Sequence, residues 1–245
     1  MRRVILVTVL AVVAFAIIII ARMPASWVVP SPPAKISCVG TDGTIWSGTC
    51  SGLNVQGQAV GDIAWELHAT RLLAGKIAAH VVLTRPGATA QADVESNFSV
   101  SDLTARNVKA DLPLDPALMP QLPPNLRGSA HAELALVRLQ KGVITDLQGH
   151  IEAHDLRQVG SDAADLGSYS LTFPGGQAEP TGELHDVGGP LAVQGTLRLT
   201  REPGFDLKGL VAPRPNAPAD LAKQIQYLGS PDAQGRRPFA LAATF

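Results

Sequence analysis

Two hydrophobicity patterns divide the chain. Residues 4–21, VILVTVLAVVAFAIIIIA, form an unbroken run of eighteen without an ionisable side chain. At about 1.5 Å per residue, a helix of that length reaches roughly 27 Å, close to the hydrocarbon thickness of a bilayer. Further on the writing turns to short alternating runs. In residues 61–67, Ile63, Trp65 and Leu67 stand against Asp62, Ala64 and Glu66; Tyr169, Leu171 and Phe173 alternate with Ser168, Ser170 and Thr172. Leu191, Val193, Leu197 and Leu199 likewise alternate with Ala192, Gln194, Thr196 and Arg198. This period of two predicts antiparallel strands with one face covered and the other wet. The 43–48 stretch, 76–84, 88–98, 108–112 (stopped by Pro113), 205–211 and 238–245 are expected as further strands. Helix is expected as a turn at 71–74, as a brief segment at 115–119 with Asp115 capping and Pro116 at the first position, and as an amphipathic helix over 219–228 stopped by Gly229.

Arg2 and Arg3 precede the apolar run and Arg22 comes after it, so the positive-inside tendency keeps the N-terminus in the cytoplasm and exports the remainder of the chain. The competing reading is a cleaved signal peptide, whose apolar region is normally 7 to 15 residues and ends at small residues. Here the run is longer and ends in Arg-Met-Pro, which favours retention. Three prolines in 25–34, ASWVVPSPPA, favour a stiff extended spacer. Trp27 suits either the membrane interface or a place in the folded domain.

The halves repeat at an offset of about 85 to 90 residues. Residues 43–67 read strand, turn, Gly-x-Ile strand, and residues 128–156 read the same. The expected fold is therefore all-β with minor α and bitopic: a cytoplasmic tip (1–3), one transmembrane helix (4–21), a Pro-rich spacer (22–35), and two similar periplasmic β modules (36–127 and 128–245). Together the modules would form a strongly bent antiparallel sheet with short helices.

Composition narrows the function. With 20 basic and 21 acidic residues and no basic run, nothing marks a nucleic-acid groove or a polybasic lipid-binding patch. The cysteines, Cys38 and Cys50, would face an oxidising compartment, where a disulfide is the expected state and free thiols the alternative; a metal site lacks nearby soft ligands. The 43–48 stretch has two glycines at P-loop spacing but Thr49 where the lysine must stand, and Ser47 lacks the glycine two residues before it that a nucleophile elbow needs. His150 and His154, on one strand face, would be about 13 Å apart, too far to share an ion. His68, His80, His131 and His185 sit singly, and the carboxylate pairs Asp162/Asp165 and Glu183/Asp186 carry no sign of an acid and a base with separated pKa values. No catalytic residue, cofactor or metal is expected.

The chain resembles the type II secretion system protein N family (general secretion pathway protein N) over nearly its whole length. The resemblance rests on the anchor running into Met23-Pro-Ala-Ser-Trp27, on Gly43-Thr-Ile-Trp46-Ser-Gly48, and on the Trp65 strand with Leu72-Leu73-x-Gly75 after it. It continues in Gly188-Gly189-Pro190-Leu191 with Gly195-x-Leu-x-Leu199, and in Leu228-Gly229-Ser-Pro231-Asp232-Ala-Gln-Gly235. The cysteine pair is not one of its hallmarks. The resemblance implies an accessory, non-catalytic inner-membrane subunit with a periplasmic bulk, contacting the other platform proteins and reaching toward the outer-membrane secretin. Two alternatives stand beside it: a membrane-tethered lipid-binding or lipid-transfer β-trough distantly similar to AsmA-like proteins, and a periplasmic enzyme.

Overall fold

The structure is a computed structural model that describes residues 10–12, 15, 18–27, 36–99, 101–116, 122–160, 163–202 and 204–244. The chain is mostly strand, and it divides into two compact units, Met1–Arg85 and Pro86–Phe245.

In the first unit β1 (Ile36–Ser37), β3 (Ser47–Val55), β4 (Gln58–Leu67) and β5 (Lys76–Arg85) pair in that order, all antiparallel, and β2 (Gly40–Gly43) pairs β3. A single turn of helix, α1 (Ala69–Leu72), links β4 to β5. The described residues of 10–21 are helical. Among the described residues no helix is long and apolar enough to cross a membrane, and most of the run from 4 to 17 lies outside them.

The second unit is an antiparallel meander. Its strands are β6 (Ala88–Asn97), β7 (Asp102–Leu114), β8 (Leu126–Gln140), β9 (Val143–Gln158), β10 (Ala164–Pro174), β11 (Thr181–Gly188), β12 (Leu191–Thr200), β13 (Gly204–Pro213) and β14 (Arg237–Thr244). Each pairs with the next in sequence. Helix α2 (Ala219–Gln226) lies between β13 and β14 in the chain, and its Leu221 and Ile225 are buried against Leu191, Val193 and Val211.

The register turns the period of two into two faces. One cross-strand row runs Ala90, Ala110, Ala132, Ile151, Leu171, Leu184, Gly195, Gly209, Phe239, apolar or small on all nine strands and half-buried throughout. The row one residue over runs Gln91, Lys109, Glu133, His150, Thr172, Glu183, Thr196, Lys208, Ala240 and is polar until its last member. Because successive side chains point to opposite sides of a sheet, the two rows are the apolar and the wet face.

Three local expectations meet a different outcome, and the choice left open for Trp27 narrows. The β-prone core of 43–48 is the connection between β2 and β3: Gly43 adopts φ +88°, and Thr44 closes the turn by donating its N–H to Ser47 O at 2.9 Å. Pro113 does not end its strand, because β6 covers β7 only up to Thr89–Asp111, leaving Pro113 at an edge position where no N–H is missed. The spacer is not uniformly extended: Pro24 bridges Thr44, Ala25–Trp27 make a 3-10 turn, and Ala25 is buried. Trp27 is 69% exposed and so does not pack into the folded unit. Residues 28–35, and the brief helix expected over 115–119 from position 117 onward, lie outside the described residues.

Candidate functional site

The residues that carry the resemblance fall into two places, one in each unit. In the first unit they build a clamp on the end of the N-terminal helix. Trp46 Nε1 donates to Ile20 O at 2.9 Å, a helix-end carbonyl whose other donor is the more distant Met23 N–H at 3.4 Å, and Ile45 N–H donates to Met23 O at 3.0 Å. Trp65 sets the loop from the other side: its Nε1 donates to Ile45 O at 3.1 Å, while Leu67 N–H donates to Trp46 O at 2.6 Å. Gly48 pairs with Trp65 across β3 and β4, and a Cβ there would stand 2.7 Å from Trp65 Cζ2 and from Asp42 O. Gly43 pairs with Gly48 and holds the left-handed φ already noted. Only glycine meets both demands.

The disulfide joins Cys38 to Cys50 with the Cα atoms 5.6 Å apart, and both residues are buried. Since Cys50 lies on β3 two residues past Gly48, the bridge pins the segment ahead of β2 to the strand that leaves the clamp. An open groove of about 480 Å³ beside it is lined by Gly43, Gly48, Trp65, Asp42, Glu66 and His80, among others.

In the second unit the Gly189-Pro190 turn is held by Arg214. Its Nη1 donates to Gly189 O at 3.1 Å, its backbone N–H to Pro190 O at 2.8 Å, and its Nη2 pairs with Asp186 Oδ2. Asp186 Oδ1 in turn accepts Val193 N–H at 2.8 Å. Close by, Tyr169 donates its hydroxyl to Leu166 O at 2.6 Å, and its pKa is pushed up to about 12 by burial, then by the carboxylates of Asp186 and Asp165. The last family stretch closes α2: Arg237 donates to Leu228 O and Gly229 O at 3.0 and 2.6 Å, and Asp232 ties its own turn through Gln234 N–H, Arg236 N–H and Arg236 Nε. Burial works against the Asp232 charge, but these donors outweigh it and hold the carboxyl below its ordinary pKa. Gly235 turns the chain at φ +77°, and Pro231 lies just ahead of this turn.

Sequence reasoning missed the Asp186–Arg214 pair. Asp186 is joined in sequence to Glu183, yet Glu183 faces His185 on the wet side at 3.8 Å, while Asp186 reaches an arginine 28 residues away. The histidines behave as solvent-facing groups: His150 meets Glu133 at 3.8 Å and His154 meets Glu152 at 3.0 Å. Asp165 accepts Gly167 N–H at 2.9 Å, and Asp162 lies outside the described residues. Among the described residues no three His, Cys, Asp or Glu side chains gather as a metal site.

In both clusters side chains hold backbone carbonyls and amides in place. Comparison with known proteins gives the chain a family. Residues 34–240 match the family model described as Type II secretion system (T2SS), protein N. A type II secretion system protein N from Aeromonas hydrophila is 28% identical over 254 residues, covering 97% of this chain and 97% of its own. One from Vibrio cholerae serotype O1 is 26% identical over 225 residues, covering 84% of each. No solved structure matches significantly. With the match running from the edge of the spacer to the last strand, the chain belongs to the type II secretion system protein N family.

Proposed function

We propose that this chain is an accessory inner-membrane subunit of the type II secretion system, a structural component that touches the assembly platform and reaches toward the outer-membrane secretin. Residues 4–21 are its single span, the N-terminus lies in the cytoplasm, and the rest is periplasmic, where a Cys38–Cys50 bridge persists. The observation that carries the reading is the clamp. Trp46 and Ile45 bind the carbonyls of Ile20 and Met23, so the end of the apolar helix is built into the β unit. Catalysis has no part in this reading.

The modules 36–127 and 128–245 are proposed as copies of one unit. In support, Gly61 and Gly149 share φ values of +136° and +137°, and each stands opposite a leucine (Leu53, Leu134) at a register shift. Platform contact would be made through the free edge of β14, which among the described residues pairs with β13 alone and is exposed along most of its length. In-cell photo-crosslinking from Leu241, Tyr227 and Val187, all exposed, tests the assignment. Inner-membrane subunits of the secretion system are expected among the captured neighbours; neighbours drawn wholly from outside that system would overturn it.

A second reading, lipid handling, is favoured by the half-buried apolar row across β6 to β14, a surface along which an acyl chain would lie. Native mass spectrometry of the purified protein separates the two, with a phospholipid adduct favouring this one.

A further inference from the structure

We propose that the end of the first unit from which the helix emerges is a second membrane contact: the turn carrying Leu73 enters the headgroup region of the phospholipid bilayer, with Arg71 at the level of the phosphates. This rests on the reading of residues 4–21 as a span. The clamp fixes where the bilayer boundary must be, because Trp46 is hydrogen-bonded to Ile20 O and Ile45 to Met23 O at the last turn of that helix.

Strand direction then decides what else lies there. β3 leaves the clamp at Ser47 and β4 returns to it at Leu67, whose N–H donates to Trp46 O, so the connection from β4 to β5, residues 68–75, opens at the same end. His80 of β5 is level with Ser47 and about 10 Å from it at about 4.8 Å per strand, and β5 begins four residues further toward that end, at Lys76.

That end carries an amphipathic set. Leu73 is 93% exposed, beside the half-buried Leu72, and Trp27 is exposed where the chain leaves the helix; Arg22 and Arg71 are exposed too. A single exposed leucine needs no explanation. Leucine, indole and guanidinium together at a membrane boundary are the side chains that settle there, the apolar ones below the headgroups and the guanidinium on phosphate oxygens. Two contacts on one bilayer, the helix and the Leu73 turn, would stop the unit from swinging about its anchor.

The test uses the full chain in vesicles of phosphatidylethanolamine and phosphatidylglycerol, with a benzophenone side chain placed at Leu73, at Val12 in the apolar run, or at Gln58. Gln58 lies at the far end of β4, about 30 Å from Leu67 by strand rise. After illumination, phospholipid adducts read by mass spectrometry are expected at positions 12 and 73 and absent at 58. An adduct at 12 without one at 73 overturns the second contact and leaves the span standing. No adduct at 12 overturns both. Equal adducts at 58 and 73 overturn the second contact, since the lipid would then be met without regard to this end.

Discussion

Three aromatic rings lie against glycines on the adjacent strand: Trp65 on Gly48, Phe173 on Gly182 and Phe239 on Gly209. In each case a Cβ on the glycine would fall 2.7 or 2.8 Å from a ring carbon, so the small residue is fixed by its neighbour's bulk. Gly48→Ala is therefore expected to cost about 1–3 kcal/mol as the ring is displaced, whereas Gly40→Ala, with nothing within 4 Å, should stay within about 0.5 kcal/mol of the parent. Urea titrations followed by tryptophan fluorescence compare them, and equal midpoints would discard the ring-on-glycine account. A glycine before a strand is visible in a sequence; the ring above it is not, because register is a property of two strands. His131 makes the same point with charge. Asp111, at 2.6 Å from Nδ1, raises its pKa above the ordinary 6.5, chiefly by hydrogen bonding, and burial only partly opposes this. Because the folded value is raised, the pair's contribution is fully present below pH 6.5 and is lost as pH climbs through the higher folded value. An NMR titration should find His131 above 6.5 and Asp111→Asn should bring it down; no change between the two would show that the contact is not what moves it.

At the scale of elements, the alternating pattern reads most easily where a strand has one covered face. β10 and β12 were legible for that reason, as was α2, whose Leu221 and Ile225 share a stripe. The length of β8 and β9 was not, since those strands of 15 and 16 residues carry bulges that break the period, at Leu134–Leu136 among other places. Nor was the node that joins β11 to β13. Spaced three apart, Glu183 and Asp186 fall on opposite faces of one strand, so they could not have acted as a pair. Asp186 is instead held at the start of the Gly189-Pro190 turn by Arg214 just past the end of β13, a partner that no local spacing announces. Arg214→Met keeps the stem but strips the side-chain bonds to Asp186 and Gly189 O, leaving a carboxylate only 13% exposed with half its partners. A loss of about 2–3 kcal/mol is expected, somewhat below that of a fully buried pair because Arg214 is itself partly solvated. In chemical denaturation the double variant Asp186→Leu with Arg214→Met should recover part of that loss; a double variant as unstable as the sum of the singles would mean that the two side chains act separately.

For the molecule as a whole, the sequence makes the apolar run plain and hides the joint at its end. The apolar run at 4–21 is visible by length, and the proposed repeat is read from Gly-x-Ile strands, whose glycines share a backbone conformation at 61 and 149. The joint is invisible because it is made of backbone carbonyls met by two indoles 26 and 20 residues away from their acceptors. Its presence sharpens the consequence of losing the tether. On the proposed reading, exporting the chain without Met1–Met23 removes both the proposed anchor and the carbonyls of Ile20 and Met23 that Trp46 and Ile45 hold. A subunit proposed to work by touching membrane-bound neighbours depends on effective concentration, which tethering raises and which a freely diffusing fragment lacks. Secretion of the system's substrates should therefore fall when the fragment alone is supplied at matched abundance. Replacing residues 4–17 with an unrelated apolar helix of equal length, which keeps residues 18–27 and the clamp intact, should restore it. If the untethered fragment supports full secretion, the membrane does no more than deliver this subunit, and its contacts must be strong enough to form from free solution.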